Sequence, residues 1–288
     1  MEMTADLSRF SQTPVILHYS VAGRRVAVVM FCWKGKAHVE MGSECQDFAY
    51  AYLSSDFADA DQLTLVVADG VSTRTRSRKG AEFACQALGK TLSDAATDVE
   101  RLSDCFARGR SEFIKLCTND ARHRNGDLNA ETEATAVIES NEVVEYATTA
   151  LALSLGTRGY WAASVGDGAI YGVAVGGTAA RLLTKINREG FSNEVRPLTN
   201  DQWQRSFDQS DADFVLDDTL EGFCLMTDGL SESIGDAGIY FGSVWPELKQ
   251  RLDDPASLTE YAEAFCRYWE DRKFSDDDKT LVAVFLNP

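Results

Sequence analysis

Histidine is scarce in this chain. The three residues His18, His38 and His123 form no HExxH, and none stands at zinc-site spacing from a cysteine, so nitrogen- and sulfur-ligated zinc chemistry has no motif here. The seven cysteines, Cys32, Cys45, Cys85, Cys105, Cys117, Cys224 and Cys266, contain no CxxC pair and make an odd total. Several lie inside apolar runs, which fits reduced, buried thiols in a cytoplasmic protein better than a disulfide framework. No uninterrupted apolar run approaches the ~20 residues that a membrane span needs. The opening residues MEMTADLSRF carry acid and lack the apolar centre of a signal peptide. There is no GxxxxGK[ST], and the glycines of GDGAIYG miss GxGxxG by one residue and lie within strand-like segments, so no nucleotide loop is indicated.

Two further chemistries are missing. Asp208 to Thr219 lacks the central Gly and the final Glu of a calcium loop. Cys266 and Arg272 stand at the spacing used by cysteine-dependent phosphatases, but the intervening RYWED is bulky, partly acidic and helical in pattern, where a phosphate cradle needs small residues. Positive charge is the last shortage: 28 basic residues face 45 acidic ones, for a net charge of −17. Nucleic acid and anionic membrane surfaces attract basic faces, so neither is expected as a main partner.

What the chain does have is a repeated design. In Leu63 to Ser72, LTLVVADGVS, an apolar run rich in β-branched residues stops abruptly on Asp69-Gly70. Such a run reads as a buried strand that delivers a carboxylate to the edge of a sheet. Gly159 to Gly168 repeats it, ending on Asp167-Gly168, and Gly222 to Gly229 ends on Asp228-Gly229. Gln46-Asp47 opens FAYAYL, and Asp276-Asp277-Asp278 lies just before TLVAVFL. Isolated Asp-Gly pairs are turn chemistry. Acid at the ends of five core strands is more than turns require, and carboxylates gathered at one sheet end repel each other unless a cation neutralises them. Hard oxygen ligands without imidazole or thiolate suit Mg²⁺ or Mn²⁺. Two such ions bridged by one Asp would sit ~3.5–4 Å apart and acidify a shared water to hydroxide, chemistry most often used on phosphate esters.

The expected elements come in groups. Arg25–Trp33, Phe48–Leu53 and Leu63–Ala68 read as strands, with a Gly-punctuated polar loop over 34–44. The period then changes: Ala81, Ala84, Cys85, Leu88 and Leu92 share one face of a helix over 77–92, and Leu102, Phe106, Phe113 and Leu116 share a face over 99–117. A polar loop is expected over 123–133. Strands return over 146–155, 160–165, 169–175 and 180–184. A polar, flap-like excursion covers 185–221, with 214–216 as its one strand-like piece. Helices over 239–252 and 258–269 precede a closing strand over 281–286. Adjacent strands with paired helices between them imply an α+β fold of two packed antiparallel sheets flanked by helices on both sides. Residues 1–14 read as a polar lead-in and 15–288 as a single domain.

These motifs, in this order, resemble the metal-dependent (PPM, type 2C) serine/threonine protein phosphatases, in a bacterial-type form. Gln46-Asp47 is similar to the family's Glu-Asp motif, ADGV at 68–71 to DGxGG, and ATTA at 147–150 to GTTA. Gly166 to Gly168 resembles GDS, TDGL at 227–230 resembles SDGL, and DDKT at 277–280 resembles DNxT. The resemblance implies a phosphoserine/phosphothreonine phosphatase using hydroxide bound to a two-metal centre of Mg²⁺ or Mn²⁺. Asp69 would bridge the metals, the Gly70 carbonyl and Gln46 would serve the second, and Asp228 and Asp277 would complete the first. Asp47 would hold the attacking water. Asp167, Asp228 and Glu232 would match the third, weaker metal site of some members. A phosphorylated protein is the implied substrate and a serine/threonine kinase the implied partner in signalling.

Two positions depart from the family. Gln46 supplies no charge where many members have Glu, and the family's phosphate-binding Arg is missing from the residues just ahead of it. His38 in GKAH, or Arg74 and Arg76 with Arg78 and Lys79 nearby, are the candidates to bind phosphate. The alternative reading is therefore a weakly active or inactive phosphatase-like regulator that binds a phosphoprotein or a kinase.

Overall fold

The computed structural model describes residues 14–54, 61–94, 99–125, 142–157, 159–184, 196–213, 219–232, 234 and 236–288. Eleven strands form among these residues: β1 Val15–Val21, β2 Arg24–Trp33, β3 Phe48–Leu53, β4 Gln62–Ala68, β5 Ala150–Gly156, β6 Gly159–Val165, β7 Ala169–Ala174, β8 Ala180–Leu182, β9 Phe207–Asp213, β10 Leu220–Met226 and β11 Lys279–Leu286. The helices are α1 Lys36–Met41, α2 Ser77–Ser93, α3 Val99–Asn125, α4 Asp228–Ser231, α5 Ala237–Lys249 and α6 Pro255–Asp271. One sheet has the order β1-β2-β11-β10-β7-β8 and the other β3-β4-β5-β6-β9. Every pairing is antiparallel.

Four layers follow from which faces are apolar. Between the sheets, Val28 and Met30 of β2, Leu225 of β10 and Val284 of β11 from one sheet meet Leu65 and Val67 of β4 and Leu151 and Leu153 of β5 from the other to make one core. On the outer face of the five-stranded sheet, Leu88 of α2 and Phe106 and Phe113 of α3 pack with Trp161. On the outer face of the six-stranded sheet, Phe241 and Trp245 of α5 and Cys266 and Trp269 of α6 pack with Phe285 and Ala283. Covering both sheet faces explains why β4 and β11 read as unbroken apolar runs and not as alternating ones: every residue of each is buried.

The α+β sandwich expected from the grouping of elements is the fold observed. Several local readings need correction. The polar loop over 34–44 contains α1, whose N-terminal turn is held by Asp276: its carbonyl accepts from Ala37 N at 3.0 Å. β1 had no counterpart among the expected strands. The strand expected from 146 starts at Ala150, because residues 144–146 form a 3-10 turn and 147–149 run across the site. The second helix runs on to Asn125 and takes in His123. The excursion over 185–221 returns to the sheet as β9, which pairs with β6 along its whole length. Residues 1–13, most of the loop expected over 123–133, and the strand-like 214–216 lie outside the described residues.

Candidate metal centre

Antiparallel pairing brings five strand-end rungs to one end of the sandwich. Phe48 pairs with Ala68, Ala150 with Val165, Met226 with both Ala169 and Leu281, and Lys279 with Trp33. Each pair is the last rung before a motif: Gln46-Asp47 and Asp69-Gly70, Thr148-Thr149 and Asp167, Thr227-Asp228, and Asp277-Asp278.

Main-chain and hydroxyl contacts fix the turns. Gly70 N donates to the Gln46 carbonyl at 3.2 Å. The Asp69 carbonyl accepts from Thr148 Oγ1 at 2.7 Å and from Thr149 N at 2.8 Å, so ATTA serves as a brace for the Asp69-Gly70 turn. Thr227 Oγ1 donates to Asp47 Oδ2 at 2.9 Å and accepts from Thr280 N at 3.0 Å, tying three motifs with one buried hydroxyl. Asp278 is the hub on the other side. Its Oδ1 accepts from Gly35 N at 2.7 Å, and its Oδ2 accepts from Gln46 N at 2.5 Å and lies 2.8 Å from His38 Nδ1. Two glycines permit these approaches. A Cβ on Gly35 would stand 2.2 Å from the Asp277 carbonyl carbon, and one on Gly229 would stand 1.9 Å from the Asp278 oxygen.

The carboxylates converge at a cost. Burial, then the charges of Asp47, Asp228 and Asp277, hold the Asp69 carboxyl well above its ordinary range. Burial and Asp278 do the same to Asp47. Asp228 is pushed up to about 6, first by burial and then by Asp277. The Asp69 and Asp228 carboxyls are close neighbours, and each acts on the other's charge. Asp167, Asp228 and Glu232 form a second group whose ligand atoms all lie within 4.8 Å of one another; His38, Asp277 and Asp278 form another.

A divalent cation fits this donor set. Gln46 Oε1, Asp47 Oδ1 and Asp228 Oδ1 are buried acceptors with no hydrogen-bond partner among the described residues. Buried acceptors of this kind are rare and costly, and these three are strand-end oxygens beside carboxylates that repel one another. A cation would relieve both penalties, and oxygen donors suit hard dications such as Mg²⁺ or Mn²⁺.

The structure therefore gathers Gln46, Asp47, Asp69, Gly70, Asp228 and Asp277 at one sheet end, with Asp167 and Glu232 grouped around Asp228. The candidate phosphate cations separate. His38 is only 2% exposed and is turned onto Asp278. Arg74 is half-buried, with Nη1 3.7 Å from Glu145. Arg76 is the residue at the N-terminal cap of α2, its own N–H bonded to the Glu145 carbonyl. Arg78 stacks on Phe48, 4.5 Å from its ring centroid, and donates to the Asp47 carbonyl at 2.9 Å. Sequence reasoning passed over Thr227, and it treated Asp278 only as part of an acidic run. Thr280 and Thr227 are the motif threonines, so the signal for Thr227 was present in TDGL.

The family model for protein phosphatase 2C matches residues 34–283. The chain belongs to the protein phosphatase 2C family. Solved structures share the fold of this family member at low identity. A bacterial serine phosphatase is 14% identical, with a TM-score of 0.56 over 91% of this chain and 97% of that one. The serine/threonine phosphatase Stp1 from Staphylococcus aureus is 12% identical, with a TM-score of 0.56 over 90% of this chain and 94% of its own. The catalytic domain of the serine/threonine protein phosphatase PstP, solved with two manganese ions, is 14% identical, with a TM-score of 0.53 over 91% and 99%. No curated protein matches the sequence significantly.

Proposed function

We propose that this protein is a metal-dependent phosphoserine/phosphothreonine protein phosphatase. The observation that carries the reading is the set of partnerless buried oxygens on Gln46, Asp47 and Asp228, beside an Asp69 whose charge is opposed from three sides. Asp69, the Gly70 carbonyl, Gln46, Asp228 and Asp277 would hold two Mg²⁺ or Mn²⁺ ions, and Asp167 with Glu232 and Asp228 a third, weaker one. Bound there, the cations supply a nucleophile from water at neutral pH and offset the charge of the phosphoryl group. The chain's own part is positional. Asp47, with Oδ2 held by Thr227, offers Oδ1 to the hydrogen of the attacking water. No side chain need act as a nucleophile. Cys266 is fully buried in α6, where burial pushes its thiol far above the reactive range.

Phosphate binding falls to Arg74 and Arg76 in this reading, because His38 is only 2% exposed with its Nδ1 against Asp278, whereas the two guanidinium groups stand at the entrance to α2. The protein would act in the cytoplasm on phosphoproteins made by a serine/threonine kinase. Residues 15–288 would form one domain, with a flap-like excursion over 185–221. Among the described residues no helix is long and apolar enough to cross a membrane. The neutral Gln46 amide favours a second reading, a weakly active regulator that binds phosphoprotein without rapid turnover.

Hydrolysis of a phosphothreonine peptide with Mn²⁺, with Mg²⁺ and with EDTA separates these. Turnover that needs Mn²⁺ or Mg²⁺, stops in EDTA and is poorly restored by Zn²⁺ is the expected result. Full turnover after exhaustive chelation would sink the cation-dependent mechanism. Peptide binding without turnover would select the regulator.

A further inference from the structure

Lys279 is a lysine with no exposed surface. A buried ammonium is retained only where its partners repay the desolvation, and the partners here belong to the metal centre's framework. Lys279 Nζ donates to the main-chain carbonyl of Asp277 at 2.7 Å. Glu270 Oε1, near the end of α6, lies 3.9 Å from the same nitrogen and accepts from Trp33 Nε1 at 3.0 Å. Trp33 is the residue paired with Lys279 across β2 and β11. The stem of Lys279 also passes beside Gly229, its Cγ 3.5 Å from where a Cβ on that glycine would stand. One side chain thus bonds to the turn carrying Asp277, passes beside the turn carrying Asp228, and ties the first of these to α6 through Glu270.

The other face of the Asp277-Asp278 dipeptide is gripped by Gly35, His38 and Gln46, all through the Asp278 carboxylate. Within the turn, Asp277 N donates to Ser275 Oγ at 3.1 Å and Asp278 N donates to Asp277 Oδ1 at 2.9 Å, and Lys279 adds the tie from the Asp277 carbonyl to α6. We propose that Lys279 is a positioning residue that aims the Asp277 carboxylate at the cation shared with Asp228, an inference that rests on the phosphatase reading above. Its contact is with the Asp277 backbone and not with a reacting atom, so it acts through Asp277. Its charge pulls the other way. A fixed ammonium near a dication repels it, so deleting a lysine that acted only as a charge would tighten metal binding. Deleting one that aims a ligand would loosen it.

Calorimetric titration of the purified protein with Mn²⁺ reads this directly, and Lys279→Met keeps the stem while removing the ammonium. The expected result is Mn²⁺ affinity about tenfold weaker, equal to about 1.4 kcal/mol. Saturating Mn²⁺ should restore kcat on a phosphothreonine peptide to within about twofold, with KM unchanged. Glu270→Gln, a milder change at a partly exposed position, should weaken Mn²⁺ by about two- to threefold, and it decides the question alone if Lys279→Met does not fold. A lysine that only supports the fold would lower the melting temperature in EDTA and leave Mn²⁺ affinity at the wild-type value. Unchanged or tighter Mn²⁺ binding in the variants overturns the positioning role while the phosphatase reading stands. Wild-type protein that neither binds Mn²⁺ nor hydrolyses the peptide overturns both.

Discussion

Replacing Asp228 by asparagine should make the chelated protein more stable at alkaline pH. Burial, and then the charge of Asp277, push the Asp228 carboxyl from 3.8 to about 6. A carboxyl that holds its proton more tightly in the folded state than in the unfolded one favours folding at low pH. That contribution is fully present below the unfolded value near 3.8 and is lost as pH rises through about 6. Above this window the ionised form costs the fold about 3 kcal/mol at about 1.4 kcal/mol per pKa unit, and sharing the titration with Asp69 trims that to about 2–3 kcal/mol. The amide has no charge to desolvate, and its oxygen remains a hydrogen-bond acceptor. For a chain of this length 1 kcal/mol moves Tm by about 2 °C, so Asp228→Asn in EDTA at pH 8 should melt about 4–6 °C above wild type. At pH 4.5 the wild-type carboxyl is largely protonated in the fold, and the gap should shrink to about 2 °C or less. Saturating Mn²⁺ at pH 8 should invert the order, because wild type gains ligand stabilisation that the variant forfeits. Differential scanning fluorimetry over this grid is the assay. A variant that melts at or below wild type in EDTA at pH 8 would refute the claim that these carboxylates oppose one another in the fold.

Three further outcomes are expected. Thr227→Val removes the hydroxyl that holds Asp47 Oδ2 and serves Thr280 N. It should cost about 1.5–3 kcal/mol in transition-state stabilisation, read as a ten- to hundredfold fall in kcat/KM, and unchanged kinetics would remove Asp47 from its assigned place. Arg74→Ala/Arg76→Ala should raise KM for a phosphopeptide with Mn²⁺ affinity unaltered, whereas His38→Ala should weaken Mn²⁺ binding by freeing Asp278; a KM effect confined to His38→Ala would reverse the assignment. Cys266→Ser should leave kcat within about twofold, since the thiol is sealed inside α6 packing, and a loss of two or more orders of magnitude would restore the cysteine mechanism.

The strand-end carboxylates were legible one by one because each sits where an apolar run stops. That local pattern needs no knowledge of what the strand pairs with. The change from strand to helical period at Ser77 and the small residues Ala81, Ala84 and Cys85 along α2 were legible for the same reason. Element order and the closing of both sheet faces then led to the sandwich.

Tertiary structure decided everything that depends on which way a side chain turns within a loop. Three consecutive aspartates at 276–278 are equivalent as text. Only the meeting of β2, β3 and β11 makes Asp278 a buried acceptor for Gly35 and Gln46, partners 243 and 232 residues away in sequence, and brings Asp277 up against Asp69 and Asp228. His38 stood where the family keeps a phosphate-binding arginine, yet the short helix α1 carries it onto Asp278 and out of reach of solvent. Lys279 entered the sequence reading only as a letter of DDKT, and it is a sealed side chain because α6 and β2 close over it. Thr227 reaches Asp47 across 180 residues. Local sequence encodes period, turn chemistry and residue type. Burial and pairing across such separations are properties of the folded chain, because the same side chain costs or gains free energy according to what the rest of the molecule brings beside it.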